Sequence, residues 1–424
     1  MSTKSLLATL DSAQHIIHRR DMYYRGKQPL RFMRDRVDDK LMHFSSNIGR
    51  VAVRSVAERI HMDEVTAEVD GRDVSDTAKR LIQDSDLPML MQSVVADMLA
   101  VGSAYLIVWV DDQGRAVVTG ESAEQVAVQR HPITRAVTGA VKRWDVTDAN
   151  GVVVEQHVVK YGPDKIVHLK RDGTRGRLSY DGSTPNPLGV VPVVPLINVE
   201  RINDDTGASV MDDLAPLVDA LNKVFVDMLT TSDAVARPKR YATGVVLEDE
   251  DEGGFMVDDD TDTDADPVGD GVQSPFKDSD DLWIAEQPEA KFGQLAGADL
   301  SGYSTAADLI MQQIMTVTSL PPHLVGIASS NPATAEALRA SEVGLASNAH
   351  SRIRVINRPM EWAVRLLVAI DQGVSPDRVS VNLTWQDTAT SSVAQEADAA
   401  VKLHAEGITS TDEARATVGE NEEV

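Results

Sequence analysis

Residues 329–373 constrain the fold more than any other stretch, because they spell one long helix interrupted near its middle. Asn331 is a suitable N-cap, and Pro332 fits the first helical position, where its missing N–H costs nothing. Glu336 puts a negative charge in the first turn, where the helix dipole favours it. Ala335, Leu338, Leu345, Ala349, Ile353, Ile356, Met360, Ala363, Leu367 and Ile370 follow at helical steps and form one apolar face. Gly373 and Pro376 supply the stop. At ~1.5 Å per residue the element would be roughly 60 Å long, more than a small domain needs. Pro359 lies inside it and removes the hydrogen bond to the Val355 carbonyl, so a bend is expected there. An ordinary core could use such a helix as its spine, so this stretch alone fixes no function.

Composition narrows the class. The chain has 424 residues, 42% of them hydrophobic, enough to bury a sizeable core and to hold two or more sub-domains. No apolar run approaches the ~18 residues of a membrane span, and the N-terminus lacks a signal pattern. Without cysteine there are no disulfides, thiolate metal sites or cysteine nucleophiles. Aromatic residues are only 4%, which argues against the stacking platforms of single-strand binders. The net charge of −25 argues against a sequence-blind nucleic-acid binder, whose footprint should be basic. The acidity is local: residues 248–281 hold fifteen Asp or Glu and one Lys, whereas the first forty residues hold nine Lys or Arg against five acids.

Taken in order, the chain opens with a helical pattern through Leu6, Leu10, Ala13, Ile17 and Met22. A second amphipathic helix is expected over residues 47–60, and two more over residues 77–99, broken near Pro88. Residues 105–110 suit a strand, and short alternating runs at 117–118, 126–128, 141–146, 152–159 and 166–169 suggest an antiparallel meander. Helices followed by consecutive strands indicate an α+β fold. Two prolines should keep residues 189–195 from forming a helix or a central strand. Leu214, Leu217, Leu221, Val224 and Met228 mark a helix ending before Pro238. Tyr303, Ala307, Ile310, Ile314 and Val317 mark another, ending at Leu320-Pro321-Pro322. Between them lies the acidic stretch, with strands expected at 240–247 and 282–285.

That order of parts resembles the portal proteins, or head-tail connectors, of tailed double-stranded-DNA phages, siphophage type. The resemblance covers nearly the whole chain. It rests on Tyr23-Tyr24-Arg25-Gly26, the 189–195 segment with Asn198, Arg237-Pro238, Leu320-Pro321-Pro322 and Asn331-Pro332-Ala333-Thr334-Ala335-Glu336-Ala337. Trp362 and Trp385-Gln386-Asp387 complete it. The resemblance implies an α/β wing over residues 1–205, stem helices over 206–237 and 299–322, and a β-rich clip over 238–298. It further implies a tunnel loop and long kinked helix over 323–373 and a small helical crown over 374–424. Ile327, Ala328, Ser329, Ser330, Asn331 and Thr334 would then face a DNA channel. The implied protein is a ring, twelve subunits in the virion, at one capsid vertex. It would pass DNA in both directions, dock the terminase large subunit and then a head-completion or adaptor protein, and meet major capsid and scaffolding proteins. Its implied place is the virion, and the host cytoplasm during assembly, with no membrane and no cofactor.

The physics agrees with sliding rather than gripping. DNA carries about one negative charge per 1.7 Å, so a cationic wall would bind it, whereas an acidic one repels and centres it. A ring needs a head-to-tail interface whose rotation closes. Ala333, Ala335, Ala337, Ala340, Ser341, Gly344, Ala346, Ser347 and Ala349 are small enough for close helix approach, either between subunits or within one.

Asp258, Asp259, Asp260, Asp262, Asp264 and Asp266 have the alternating carboxylates that calcium favours, but the EF-hand glycine is missing from every suitable register. The run reads as a solvated loop that could steer a basic partner to the clip. No metal site and no catalytic residue is expected: there is no G-x-x-x-x-G-K-[ST], H-E-x-x-H or G-x-S-x-G motif. His15 and His18 lack a third ligand, and His323 reads as a turn residue. Arg19, Arg20, Arg25, Lys27, Arg31, Arg34 and Arg36 could meet DNA, capsid or acidic neighbours. The rival readings are a carboxylate-based metal-dependent hydrolase and a minor head protein without a channel.

Overall fold

The computed structural model describes residues 3–31, 45–202, 204–236, 240–243, 291–294, 299–326, 334–389, 393–407 and 410. Two compact units emerge: Met1–Val224 with Ala306–Val424, and Phe225–Thr305.

The first unit is α+β. Helix α1 (Thr3–Arg25) and α2 (Ile48–Ala57) precede strands β1 (Met62–Val69) and β2 (Arg72–Asp73). Helices α3 (Ser75–Asp84) and α4 (Leu87–Val101) follow. The break expected near Pro88 falls just before it. Asp86 takes a left-handed conformation, and Pro88 occupies the first turn of α4, where no N–H is needed. Leu87, Met91, Val94, Val95, Met98 and Leu99 are buried, so α4 is an interior helix.

Strands β3 (Ser103–Val110) and β4 (Ala116–Ser122) pair with β10 (Val193–Ile197) in the order β10-β3-β4. The proline-flanked segment is therefore an edge strand, where Pro195, opposite Tyr105, is tolerated. Strands β5 (Val126–Arg130), β6 (Val137–Thr147), β7 (Val153–Tyr161), β8 (Lys165–Asp172) and β9 (Ser179–Pro185) form the expected antiparallel meander, each beside its predecessor. The run at 117–118 belongs instead to β4 in the other sheet. α1 lies on the meander, packing Leu6 and Leu10 with Ala127, Val141 and Val158.

Helix α5 (Val210–Ala236) follows, then α6 (Ser301–Thr318), α7 (Ala335–Gln372), β13 (Val379–Trp385) and α8 (Val393–Ala405). α7 is the spine, packed by β3, β4, β10, β13, α2 and α3. Leu345, Ala349, Ile353, Ile356, Met360, Ala363 and Leu367 are buried as expected, but Leu338 is 40% exposed. The helix begins at Ala335 with Thr334 as its cap, whose Oγ1 accepts the Ala337 N–H at 3.2 Å. The cap expected at Asn331 lies outside the described residues. Gly373 closes the helix in a left-handed conformation, as expected.

β1 and β13, which sequence reading did not find, pair antiparallel with Val65 opposite Leu383 and Val69 opposite Val379. Part of the stretch expected as a helical crown is thus a strand beside residues far earlier in the chain. In the second unit, β11 (Arg240–Thr243) pairs antiparallel with β12 (Lys291–Gln294). β11 falls within the strand expected at 240–247; the strand expected at 282–285 lies outside the described residues, and β12 was not anticipated. Thr231 and Tyr303 share a hydroxyl hydrogen bond of 3.0 Å.

The end of α4, the end of β10 and the segment leading into α5 are held close together. Fully buried Asn198 donates its N–H to the Gly102 carbonyl at 2.9 Å and its Nδ2 to the Ala208 carbonyl at 2.7 Å. Its own carbonyl accepts the Ala208 N–H at 3.0 Å, and its Oδ1 accepts Arg352 Nη1 from α7. A Cβ on Gly207, whose φ is +82°, would sit 1.9 Å from the Gly102 oxygen. Gly207→Ala is therefore expected to lower the unfolding free energy by on the order of 3 kcal/mol. Gly71→Ala, at φ +79° but in open space, should cost about 1 kcal/mol. Urea denaturation of both variants measures the difference; equal losses would contradict the close approach.

Candidate channel and assembly site

Thr334 is the one expected channel residue within the described part; Ile327, Ala328, Ser329, Ser330 and Asn331 lie outside it. The elements flanking that segment are fixed by identifiable contacts. Before it, Leu320 is buried and residues Pro322–Val325 form a 3-10 turn ended by left-handed Gly326. His323 sits in this turn, as expected, and its Nε2 lies 3.1 Å from Glu342 on α7. The other Glu342 oxygen accepts Arg59 Nη2 at 2.9 Å. Arg59 also donates to the Thr388 carbonyl at 3.0 Å, while the Thr388 hydroxyl donates to the Ala346 carbonyl at 3.0 Å. One carboxylate therefore joins the turn before the segment, the helix after it and the end of α2.

The first three turns of α7 bury little. Glu336, Ala337, Leu338, Ala340, Ser341, Val343 and Gly344 are exposed, Val343 by 65%, while half-buried Arg339 and Glu342 face inward. Ala349 is fully buried, whereas Ala337, Ala340, Ser341, Gly344 and Ser347 of the same small-residue series are exposed. Pro359 lies inside α7, three residues before Trp362, over whose ring Arg365 lies at 5.5 Å. Trp385 Nε1–H donates to Asn357 Oδ1 at 2.6 Å, tying β13 to α7.

Three of the N-terminal basic residues are engaged with carboxylates of their own chain. Arg20 clamps Asp212 with two hydrogen bonds, at 3.0 and 2.6 Å, and donates to the Val101 carbonyl at 2.6 Å. Arg25 pairs with Asp21, and Arg31 lies 3.7 Å from buried Asp219. Tyr23 donates its hydroxyl to Asp219 at 2.9 Å. Burial, then that hydrogen bond and the carboxylate's charge, pushes the Tyr23 hydroxyl up to about 12. Burial also raises Asp219, opposed by Tyr23 and Arg31. Arg34 and Arg36 lie outside the described residues, as do Asp258, Asp259, Asp260, Asp262, Asp264 and Asp266. Among the described residues no three acidic or histidine side chains are placed to hold a metal ion, and no helix is long and apolar enough to cross a membrane.

A family model described as phage portal protein, SPP1 Gp6-like, matches residues 11–423. Over 233 residues, 53% of its length, the chain is 32% identical to the portal protein of Mycobacterium phage D29, and equally to that of Mycobacterium phage L5. The match spans 44% of each relative's length, so less than half of either is covered. Among solved structures, the neck of an empty GTA particle computed with C6 symmetry is similar, with a TM-score of 0.51 and 16% identity. That match covers 93% of this chain and 96% of the other. The neck of the native GTA particle computed with C12 symmetry gives a TM-score of 0.50 and 15% identity, over 96% and 99% of the two chains. At such identities the likeness is one of fold.

One electrostatic feature beneath α1 was not legible in sequence. Burial raises the Asp97 carboxyl to about 6; Asp21 and Glu124 add to the rise, and the Ser122 hydroxyl and Arg25 oppose it. Because the folded pKa lies above the unfolded one, Asp97's contribution is fully present below pH ~4 and is lost as pH rises through about 6. Asp97→Asn should therefore stabilise the chain by on the order of 1–3 kcal/mol at neutral pH. In urea denaturation followed across pH, that gain should shrink toward nothing near pH ~4; a gain independent of pH would contradict the assignment.

Proposed function

This chain belongs to the phage portal proteins of the SPP1 Gp6-like family, and on that premise we propose that it forms a closed ring at one capsid vertex. Through this ring double-stranded DNA enters during packaging and leaves during ejection. The observation that carries the reading is the family match over residues 11–423, which takes in both units and every helix from α2 to α8.

The ring is a head-to-tail assembly of about twelve copies, each presenting two unlike faces. The exposed first turns of α7, with Leu338 and Val343 open among small residues, supply part of one such face. The segment 327–334 faces the channel, and Pro359 bends α7 so that the stretches on either side of it can run in different directions. A net charge of −25 per chain, multiplied around the ring, repels the duplex from all sides and lets it slide; phosphate-gripping cations would hold it. Arg20, Arg25 and Arg31 are engaged with carboxylates of their own subunit, which fits a wall that does not clamp DNA.

Residues 1–205 form the wing, α5 and α6 the stem, and residues 238–298 the clip, whose acidic run steers basic partners at low salt. The clip docks the terminase large subunit and later an adaptor protein, while major capsid and scaffolding proteins surround the wing. Assembly takes place in the host cytoplasm and the product is part of the virion. The chain itself performs no catalysis; ATP hydrolysis belongs to the terminase. The hydrolase and minor-head-protein alternatives have no counterpart in the family match.

Head assembly in the presence and absence of the chain tests the reading. Heads built with it should fill with DNA when the packaging motor and ATP are supplied, and heads built without it should stay empty. Equal filling in both would overturn the proposal.

A further inference from the structure

Beyond its bare first turns, α7 keeps one exposed face. Ser347, His350, Ser351, Arg354 and Arg358 are all exposed. His350, Arg354 and Arg358 follow at steps of four, in line along about 12 Å of the helix. Other arginines of this stretch are used by the fold: Arg352 donates to Asn198 and Glu200, and Arg365 lies over Trp362. Arg354 and Arg358 make no hydrogen bond or ion pair among the described residues. The carboxylate nearest them along the helix, Glu361, accepts Asn357 Nδ2 at 2.9 Å.

Folding gives no reason for this pair. Like charges four residues apart destabilise a helix. The chain holds sixty-six acidic residues, and it sets carboxylates against Arg20, Arg25 and Arg352. Two guanidinium groups left open in line suit a ligand with repeated anionic groups, because each planar fork can meet a phosphate or a carboxylate with two hydrogen bonds. The surroundings decide between those two. An interface with another protein has an apolar core, yet α7 exposes no large hydrophobic side chain beyond Val343. The arginines are flanked instead by Ser347, His350 and Ser351. Arginine and serine without an apolar centre match a contact to nucleic-acid backbone, whose hydrogen bonds go to phosphate oxygens.

We propose that Arg354 and Arg358, with His350 beside them, touch the phosphate backbone of double-stranded DNA. The proposal rests on the ring reading above and adds to it a point of contact with the duplex. Two guanidinium groups per subunit, on a chain whose net charge is −25, make a contact that salt and the surrounding repulsion readily break, so the duplex is touched without being clamped.

The test uses the full-length chain and a short synthetic duplex, with binding followed by fluorescence anisotropy across a salt series. Arg354→Ser combined with Arg358→Ser should weaken binding by about tenfold at low salt and make the slope of log affinity against log salt shallower by about 1.8, the value for two phosphates. Its thermal unfolding should match the wild type, since both side chains are exposed. If the double variant folds poorly, Arg354→Ser alone decides, with a slope change of about 0.9. Arg72→Ser combined with Arg175→Ser removes the same charge from exposed positions off the helix and should bind like the wild type. Equal weakening by this control, an unchanged slope in the α7 variants, or no binding by the wild type at low salt would overturn the contact. Displacement by poly-glutamate as effective as displacement by unlabelled duplex would assign the surface to an acidic protein and overturn the DNA assignment. Light scattering on the same samples separates these failures from failure of the ring: a ring that forms without binding the duplex leaves that reading intact, and a wild-type chain that stays single overturns it.

Discussion

The burial of α7 is the constraint on which the first unit depends. Ala363, Val364, Leu366, Leu367, Val368 and Ala369 are all fully buried, so this part of the helix is enclosed on every side rather than along one stripe. A helix enclosed all round needs layers on all sides, and β10-β3-β4, β13, α2 and α3 supply them. Each fully buried Leu or Val there contributes roughly 1.5–3 kcal/mol, an upper estimate because the unfolded chain already hides some of that surface. The same helix begins almost bare. Its length thus joins two environments: an interior that fixes the fold and an outer end whose described residues lie mostly in solvent.

The polar contacts follow from that arrangement. Arg352 reaches from α7 to Asn198, which holds the Gly102 and Ala208 backbones, and Arg20 holds Val101 and Asp212 close by. The start of α5 is in this way fastened to the end of α4 and to α7 by donors that meet buried carbonyls, which would be costly to leave unpaired. Guanidinium groups used for this purpose are withdrawn from the surface.

Much of this was legible in the sequence, for physical reasons that also explain the failures. Helical periodicity is local, so α1, α5, α6 and the body of α7 stood out, as did the meander with its turn residues between short β-branched runs. β1 and β13 were missed because strands of seven or eight residues carry weak local signals and their pairing joins positions more than three hundred residues apart. Asn331-Pro332 and Thr334 are both good entry signals; the described helix begins at Ala335, where the Thr334 hydroxyl accepts the Ala337 N–H, and Asn331 lies outside the described residues. The site was less readable than the fold. Asn198 was noticed only as part of a motif, and nothing local announced its link to Arg352, or that of Glu342 to Arg59 and His323. Such partners converge through tertiary packing, which residue types and spacing do not encode.

Amide hydrogen exchange along α7, compared between the dispersed subunit and the assembled particle, tests most directly whether this helix is core at one end and seam at the other. Amides from Ile353 to Ala369 should exchange only through global unfolding in both states. Those from Leu338 to Gly344 should exchange readily in the dispersed subunit and become protected on assembly. Protection of Leu338 to Gly344 that does not change on assembly, or local opening of the Ile353 to Ala369 stretch, would contradict the account.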